Sequence, residues 1–276
     1  MIKIIEFVFL GILQGFTEPI PVSSSGHILI FQTIFEKFNQ NINIDFSLLA
    51  TLTNFGSLIA ILLFFRKDII NLFRAFFTYI FNKDKREKNK DDYKYCWLVV
   101  LATIPAGIAG IIVTKLELLD FLEENVRFVG LMLIVTAFFL FLIKDFKGIK
   151  SNKNITFKDA IIIGFAQMIA LIPGISRSGA TIVGGMFRGL KREVAFKFSF
   201  ILYIPISIAT GILGIKDLIE LSISKTECLY YLLATLLAGI LTYIATKWFN
   251  RVVKEGKFIY FSIYCLIAGL LVIIFL

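Results

Sequence analysis

The 276-residue sequence predicts an all-α integral membrane protein, with six transmembrane helices and two re-entrant helical hairpins arranged as an inverted-topology repeat. Three observations predict it. Hydrophobic residues make up 58% of the chain, with 30 phenylalanines, well above the roughly half-apolar composition of soluble domains. Several uncharged runs approach the ~20 residues that a spanning helix needs. A shift of 153 residues lays one broken apolar segment over another.

Residues 2–31 form the first broken segment, apolar but interrupted by Gln14, Glu18, Pro19 and Pro21. They lack a basic region followed by a small-residue cleavage site, which argues against a cleaved signal peptide. Spans follow at 46–65, 95–114 and 128–143; residues 159–187 are the second broken segment, and spans at 198–214, 228–246 and 258–276 complete the chain. The linkers at 66–94, 144–158, 188–197 and 247–257 hold 22 of the 29 Lys and Arg residues. Those at 32–45, 115–127 and 215–227 hold 5 basic residues and 9 acidic ones. The net charge of +9 is therefore read as orienting a membrane protein, not as a nucleic-acid surface.

If the basic linkers are cytoplasmic, six spans alternate consistently only when each broken segment enters and leaves on one face. The first hairpin then dips from the outer face and the second from the cytoplasmic face. The chain reads as a single membrane domain, 1–276, built from repeat 1 (1–145) and repeat 2 (155–276). The 153-residue shift matches Gly11 to Gly164, Gln14 to Gln167, Ser23 to Ser176, Ser25 to Ser178 and Gly26 to Gly179. Inverted repeats with discontinuous helices build their sites near the midplane. Cys96, Cys228 and Cys265 stand singly in apolar runs, without disulfide or metal spacing, and read as small hydrophobes.

The chemistry concentrates in the two breaks. Gln14 and Glu18 are four residues apart and share a helix face, and Pro19 disfavours helix at Glu18, so the carboxylate is expected to project into the break. An ionisable group at membrane depth is a functional hypothesis by default. In "PVSSSGH" one of Ser23, Ser24 and Ser25 suffices for an N-cap, and three exceed that need. His27, the chain's only histidine, lies three residues beyond Ser24, within reach if both share the first turn. A serine, a histidine and a carboxylate suit an activated nucleophile or an acid–base pair.

In "PGISRSGAT", Arg177 lies among Ser176, Ser178, Gly179 and Thr181. A glycine-containing turn before a helix N-terminus suggests a nest of N–H donors for an anion, and arginine offers a fork matched to phosphate oxygens. Arg177 could alternatively pair with Glu18 across the repeats, or do both in turn. The set suits phosphoryl transfer, where catalysis is mostly positioning and charge neutralisation.

"QGFTEPIPVSSSGH" and "PGISRSGATI" resemble the two signature motifs of the undecaprenyl-diphosphatases of the bacitracin-resistance type, and the resemblance runs through the whole chain. It implies a hydrolase of the bacterial cytoplasmic (inner) membrane, with its active site open to the outer face. That enzyme would convert undecaprenyl diphosphate to the monophosphate and inorganic phosphate, recycling the lipid carrier of peptidoglycan synthesis and conferring bacitracin resistance. Carried over by motif, the roles fall on Glu18, Ser24 as nucleophile, the essential His27 and the phosphate-binding Arg177. Ser23, Ser25, Ser176, Ser178, Gly179 and Thr181 are the further substrate-binding candidates. The resemblance also implies a divalent cation, Mg²⁺ or Ca²⁺, on Glu18 with Gln14 as auxiliary ligand, since many members carry glutamate at Gln14. The implied partners are the polyprenyl diphosphate lipid and the membrane, with no nucleic acid and with a homodimer among the open assemblies. Asn54 in "TNFGSLIA" stands where the family has glutamine, and no role is transferred to it. Ser24, His27 and an activated water remain alternatives for the attacking group. The competing function is a transporter, such as a flippase of polyprenyl phosphate; a structural scaffold would leave the polar breaks without a reason.

Overall fold

Apolar chain that cannot bond to water must satisfy its backbone internally, and helices do so within a single segment. A computed structural model describes residues 2–38, 44–116, 125–220 and 224–276. Among these residues the α-helices are α1 Ile2–Thr17, α2 Ser24–Phe38, α3 Phe46–Phe64, α4 Arg66–Phe81, α5 Arg86–Lys115, α6 Val126–Leu142, α7 Phe157–Ile169, α8 Arg177–Phe187, α9 Arg192–Glu220, α10 Lys225–Glu255 and α11 Ile259–Phe275. The chain is a multi-pass membrane protein: α3, α5, α9 and α10 are long and apolar enough to cross a bilayer, and α6 and α11 are shorter apolar helices. Exposed Ile108, Ile111, Leu236, Ile240 and Ile274 give these helices the outward apolar surface that lipid requires.

Both expected breaks are present. Residues 18–23 separate α1 from α2, and 170–176 separate α7 from α8. Two expectations change. Residues 66–94, read as a basic linker, form α4 and the first turns of α5. The sequence of α4 is amphipathic: Ile69, Leu72, Phe73, Phe76 and Phe77 recur at helical spacing among Arg66, Lys67 and Arg74. Its aromatic face docks on α5, with Tyr79 and Phe76 stacked on Tyr93 at centroid separations of 4.0 and 5.2 Å. The spans expected at 198–214 and 228–246 also lengthen into α9 and α10, because their helices continue into charged ends.

Packing between the halves is reciprocal. Helix α1 lies along α10 while α7 lies along α5, and α6 pairs with α11. The repeat-matched glycines explain the first two contacts. A Cβ on Gly11 would come within 2.6 Å of the Ala234 carbonyl oxygen, and one on Gly164 within 2.6 Å of that of Ala102. Such approach requires a missing side chain, and exchange against small residues is how apolar helices associate without a hydrophobic drive between them. Gly164→Val is therefore expected to abolish recovery of folded protein from detergent or to lower its unfolding temperature sharply. Gly110, where a Cβ meets nothing within 4 Å, provides the control: Gly110→Ala should be neutral or slightly stabilising.

A buried ion cluster ties the basic 144–158 connection to the second hairpin. Asp159, fully buried, accepts from Lys150 Nζ at 2.9 Å and Arg188 Nε at 2.8 Å, and closes a capping box with Thr156 at the start of α7. Burial alone would raise the Asp159 carboxyl, but the bonds from Lys150, Thr156 and Arg188 outweigh it and hold the carboxyl at about 2. A lowered folded value stabilises the fold above the ordinary carboxyl range, and that stability is lost as pH falls toward 2. The unfolding temperature of wild-type protein should exceed that of Asp159→Asn at pH 7, and the gap should close as pH falls from about 4 to about 2, measured by thermal unfolding in detergent.

Candidate active site

The two breaks meet at one cavity of about 180 Å³. On the first side, α1 ends at Thr17, and Glu18 enters the turn with its N–H bonded to the Gln14 carbonyl at 2.9 Å. Pro19 cannot continue the helix, so the Glu18 side chain leaves the helix face and becomes buried, at 8% exposure. Ser23 adopts the left-handed region at φ 67°, costing about 1 kcal/mol for a residue with a Cβ. That conformation starts α2 at Ser24, and the Ser23 hydroxyl accepts the Gly26 N–H at 3.3 Å. Ser24 is thereby turned back to Glu18.

On the second side, Gly174 at φ 92° reverses the chain against the Val129 carbonyl. Thr136 of α6 clasps this turn, donating to Gly174 O at 3.1 Å and accepting from the Ser176 N–H at 3.2 Å. Ser176 caps α8 by accepting the Gly179 N–H at 3.1 Å. Arg177, the first residue of α8, is carried into the cavity.

Glu18 is the hub. One carboxylate oxygen takes a short ion-paired bond from Arg177 Nη2. The other accepts from Ser24 Oγ at 2.5 Å and from Gln14 Nε2 at 2.9 Å. The Arg177 guanidinium also lies 3.8 Å from the ring centroid of Tyr203 in α9, where desolvation strengthens cation–π attraction. Tyr203 in turn donates to Asn54 Oδ1 of α3 at 2.6 Å. Arg177 is thus held on two faces, yet remains 24% exposed to the cavity.

Of the sequence-predicted candidates, Glu18, Ser23, Ser24, Ser25, Ser176, Arg177 and Ser178 line the cavity. Gln14 lies beneath Glu18, buried, with its Oε1 unpartnered among the described residues. Three candidates lie elsewhere. The Gly179 N–H is used by the Ser176 cap, so it is not a free donor in an anion nest. The Thr181 hydroxyl donates to Arg177 O at 2.9 Å and is 2.6 Å from Ser199 Oγ, inside the α8–α9 packing.

His27 faces away from the cavity. Its Nδ1 bonds the Ser23 carbonyl at 2.7 Å and its Nε2 the Tyr264 hydroxyl of α11 at 2.8 Å, with the two rings stacked. A carbonyl only accepts, so Nδ1 carries the proton, and in neutral imidazole Nε2 then accepts from Tyr264. The three-residue offset from Ser24 did not bring the side chains together, because Ser24 at the helix start turns back into the break while His27 points along the α2–α11 seam. Tyr203 and Asn54 are site residues that sequence reasoning missed. Both are contributed by unbroken spans distant in sequence, and only Asn54, in a segment with a loose motif match, carried any signal.

Residues 7–271 match the family model described as "Bacitracin resistance protein BacA". Curated relatives agree. The chain is 44% identical over 272 residues to undecaprenyl-diphosphatase 1 of Bacillus licheniformis, covering 99% of this chain and 98% of that protein. It is 41% identical over 273 residues to undecaprenyl-diphosphatase 2 of Bacillus thuringiensis, covering 99% and 98%, and 40% identical over 274 residues to the undecaprenyl-diphosphatase of Oceanobacillus iheyensis, covering 99% and 97%.

Proposed function

This chain belongs to the bacitracin resistance protein BacA family, and from that premise we propose that it hydrolyses undecaprenyl diphosphate to undecaprenyl phosphate and inorganic phosphate. The observation that carries the reading is the bonded set Ser24–Glu18–Arg177 within one cavity. A hydroxyl, a base and a guanidinium in contact are what phosphoryl transfer needs and what carriage of an anion does not. The architecture of the proposal is six spans, α3, α5, α6, α9, α10 and α11, with hairpins α1–α2 and α7–α8 entering from opposite faces as an inverted repeat of 1–145 and 155–276. The reciprocal packing of α1 on α10 and α7 on α5 supports it. The protein would work in the bacterial cytoplasmic membrane with the cavity open to the outer face, and its turnover would confer bacitracin resistance.

In this mechanism the terminal phosphate enters between Arg177 and Ser24. Arg177 exchanges part of its pairing with Glu18 for phosphate oxygens, aided by its fork of donors. Glu18 Oε2, already the acceptor of the Ser24 proton, takes that proton as Ser24 Oγ attacks phosphorus in line. The bond from phosphorus to the bridging oxygen breaks, and its electron pair leaves on the lipid monophosphate. Water, deprotonated by a Glu18 that has since lost its proton to solvent, then cleaves the phosphoserine and regenerates the hydroxyl. His27 acts through Ser23, bonding the carbonyl of the left-handed residue beside the nucleophile, and is a positioning residue in this scheme.

A divalent cation would be held here only jointly with substrate. Among the described residues no group of three or more His, Cys, Asp or Glu could cage a metal. The Glu18 carboxylate and the buried, unpartnered Gln14 Oε1 are hard oxygen donors, and Mg²⁺ commonly takes one or two carboxylates and completes its shell with phosphates and water. Bound there, a cation would neutralise charge on the phosphate oxygens. Chelation should lower turnover by about tenfold or more, with recovery on adding Mg²⁺; unchanged turnover would remove the cation from the proposal.

The deciding experiment is release of inorganic phosphate from a polyprenyl diphosphate by purified protein in detergent. Turnover is the expected result. Protein that releases no phosphate, yet moves polyprenyl phosphate across a vesicle bilayer, would replace hydrolysis with transport.

A further inference from the structure

Gln14 and Gln167 occupy matching positions of the two hairpins, 153 residues apart. Their surroundings differ in one respect. Gln14 finds Glu18 four residues on and donates to it at 2.9 Å. The residue four beyond Gln167 is Leu171, which offers no bond. Both polar atoms of the Gln167 side chain are accordingly buried without a partner among the described residues, in a residue only 2% exposed. Gln167 and Leu171 both line the cavity that holds Arg177 and Ser24.

A buried amide with neither donor nor acceptor satisfied is rare, and each instance calls for an explanation. Packing does not supply one, since leucine or methionine would fill the same volume without two orphaned polar atoms. The cavity does supply one. Gln167 lies on α7 and Arg177 on α8, so both arms of one hairpin line the cavity that Ser24 also lines. A headgroup with two phosphates carries more acceptor oxygens than one guanidinium can serve. A neutral amide adds a donor without adding charge, so it orients the anion without holding the monophosphate product by a second cation.

We propose that Gln167 is a substrate-positioning residue whose amide N–H donates to a phosphate oxygen of the diphosphate headgroup. The inference rests on the hydrolase reading and names a contact of that same site. Substrate and transition state share this oxygen, so the bond contributes mainly to binding, and its loss raises KM more than it lowers kcat.

The test uses full-length wild-type, Gln167→Leu and Gln167→Glu proteins in detergent, with two readouts: phosphate release against polyprenyl diphosphate concentration, and thermal unfolding with and without inorganic diphosphate. Gln167→Leu is expected to unfold at the wild-type temperature or above it without ligand, because two orphaned atoms are removed. Its KM should rise about tenfold with kcat within about twofold, and it should lose most of the stabilisation by inorganic diphosphate that is expected of wild type. Gln167→Glu, which sets a carboxylate against the phosphates, should bind more weakly still. Wild-type KM and wild-type diphosphate stabilisation in either variant would overturn the proposal, as would a ligand-free loss of stability in Gln167→Leu with KM unchanged, which marks a structural residue. Wild-type protein that is stabilised by diphosphate through Gln167 but releases no phosphate would count against hydrolysis while supporting the contact.

Discussion

Arg177→Ala should lower kcat/KM for polyprenyl diphosphate by about 10³-fold or more, equivalent to about 4 kcal/mol of transition-state stabilisation. Among the described residues lining the cavity Arg177 is the one cation, and the reaction concentrates negative charge there. Arg177→Lys should recover little. A lysine ammonium is a point charge without the planar fork, and it stacks less well on the Tyr203 ring that holds the guanidinium 3.8 Å from its centroid. Removing Arg177 also leaves the Glu18 carboxylate buried and unpaired, a change that destabilises proteins in its own right. The double variant Arg177→Ala with Glu18→Gln isolates the stability effect: it should regain thermal stability relative to Arg177→Ala, because the stranded charge is gone, and it is silent on turnover because it also removes the base. An Arg177→Ala protein that loses thermal stability but keeps kcat/KM within about tenfold of wild type would reduce Arg177 to a structural partner. The measurements are phosphate-release kinetics and thermal unfolding on the same preparations.

Ser24→Ala should lower kcat by at least about 10³-fold while leaving substrate binding nearly intact, because the bond to phosphorus forms through Ser24 Oγ. The 2.5 Å bond from Ser24 to Glu18 is the basis: the base is already on the proton it must remove, and the hydroxyl is already turned to the cavity. If an activated water attacked instead, the variant would keep turnover within about tenfold, since Glu18 would still be present to act as base. His27→Asn distinguishes the roles further. The asparagine amide reproduces the donor at Nδ1 that bonds the Ser23 carbonyl, but it cannot relay a proton or take a phosphoryl group. A positioning histidine predicts that His27→Asn keeps turnover within about tenfold of wild type and keeps the shape of the pH–rate profile. Loss as large as that of Ser24→Ala, or a missing limb of the profile, would return His27 to the chemistry.

The breaks, the polar residues in them and the all-helical, apolar character of the chain were legible in the sequence for a simple physical reason. In a medium without water, proline, glycine, serine and charge are costly unless they serve a purpose, so their positions stand out against apolar helix. Glu18, Ser24 and Arg177 were found this way, and the structure brings all three to one cavity. The 66–94 connection was misread because positive charge in a linker and positive charge on one face of an amphipathic helix look alike until the apolar face is counted.

Direction was the part the sequence did not carry. Spacing places His27 within a turn of Ser24, but a left-handed Ser23 and the presence of Tyr264 across the seam send the imidazole to α11. Gln14 and Gln167 look equivalent in the chain, yet one donates to Glu18 and the other, among the residues lining the cavity, is buried without a partner among the described residues. Tyr203 carries no local mark at all and Asn54 only a loose one, because Tyr203 reaches Arg177 from α9 and Asn54 reaches Tyr203 from α3, 149 residues away. What a residue is made of, and whether its environment is apolar, is local and can be read from the chain by itself. Which way a side chain turns depends on the one partner that packing between distant helices happens to supply, and the tertiary structure alone decides it.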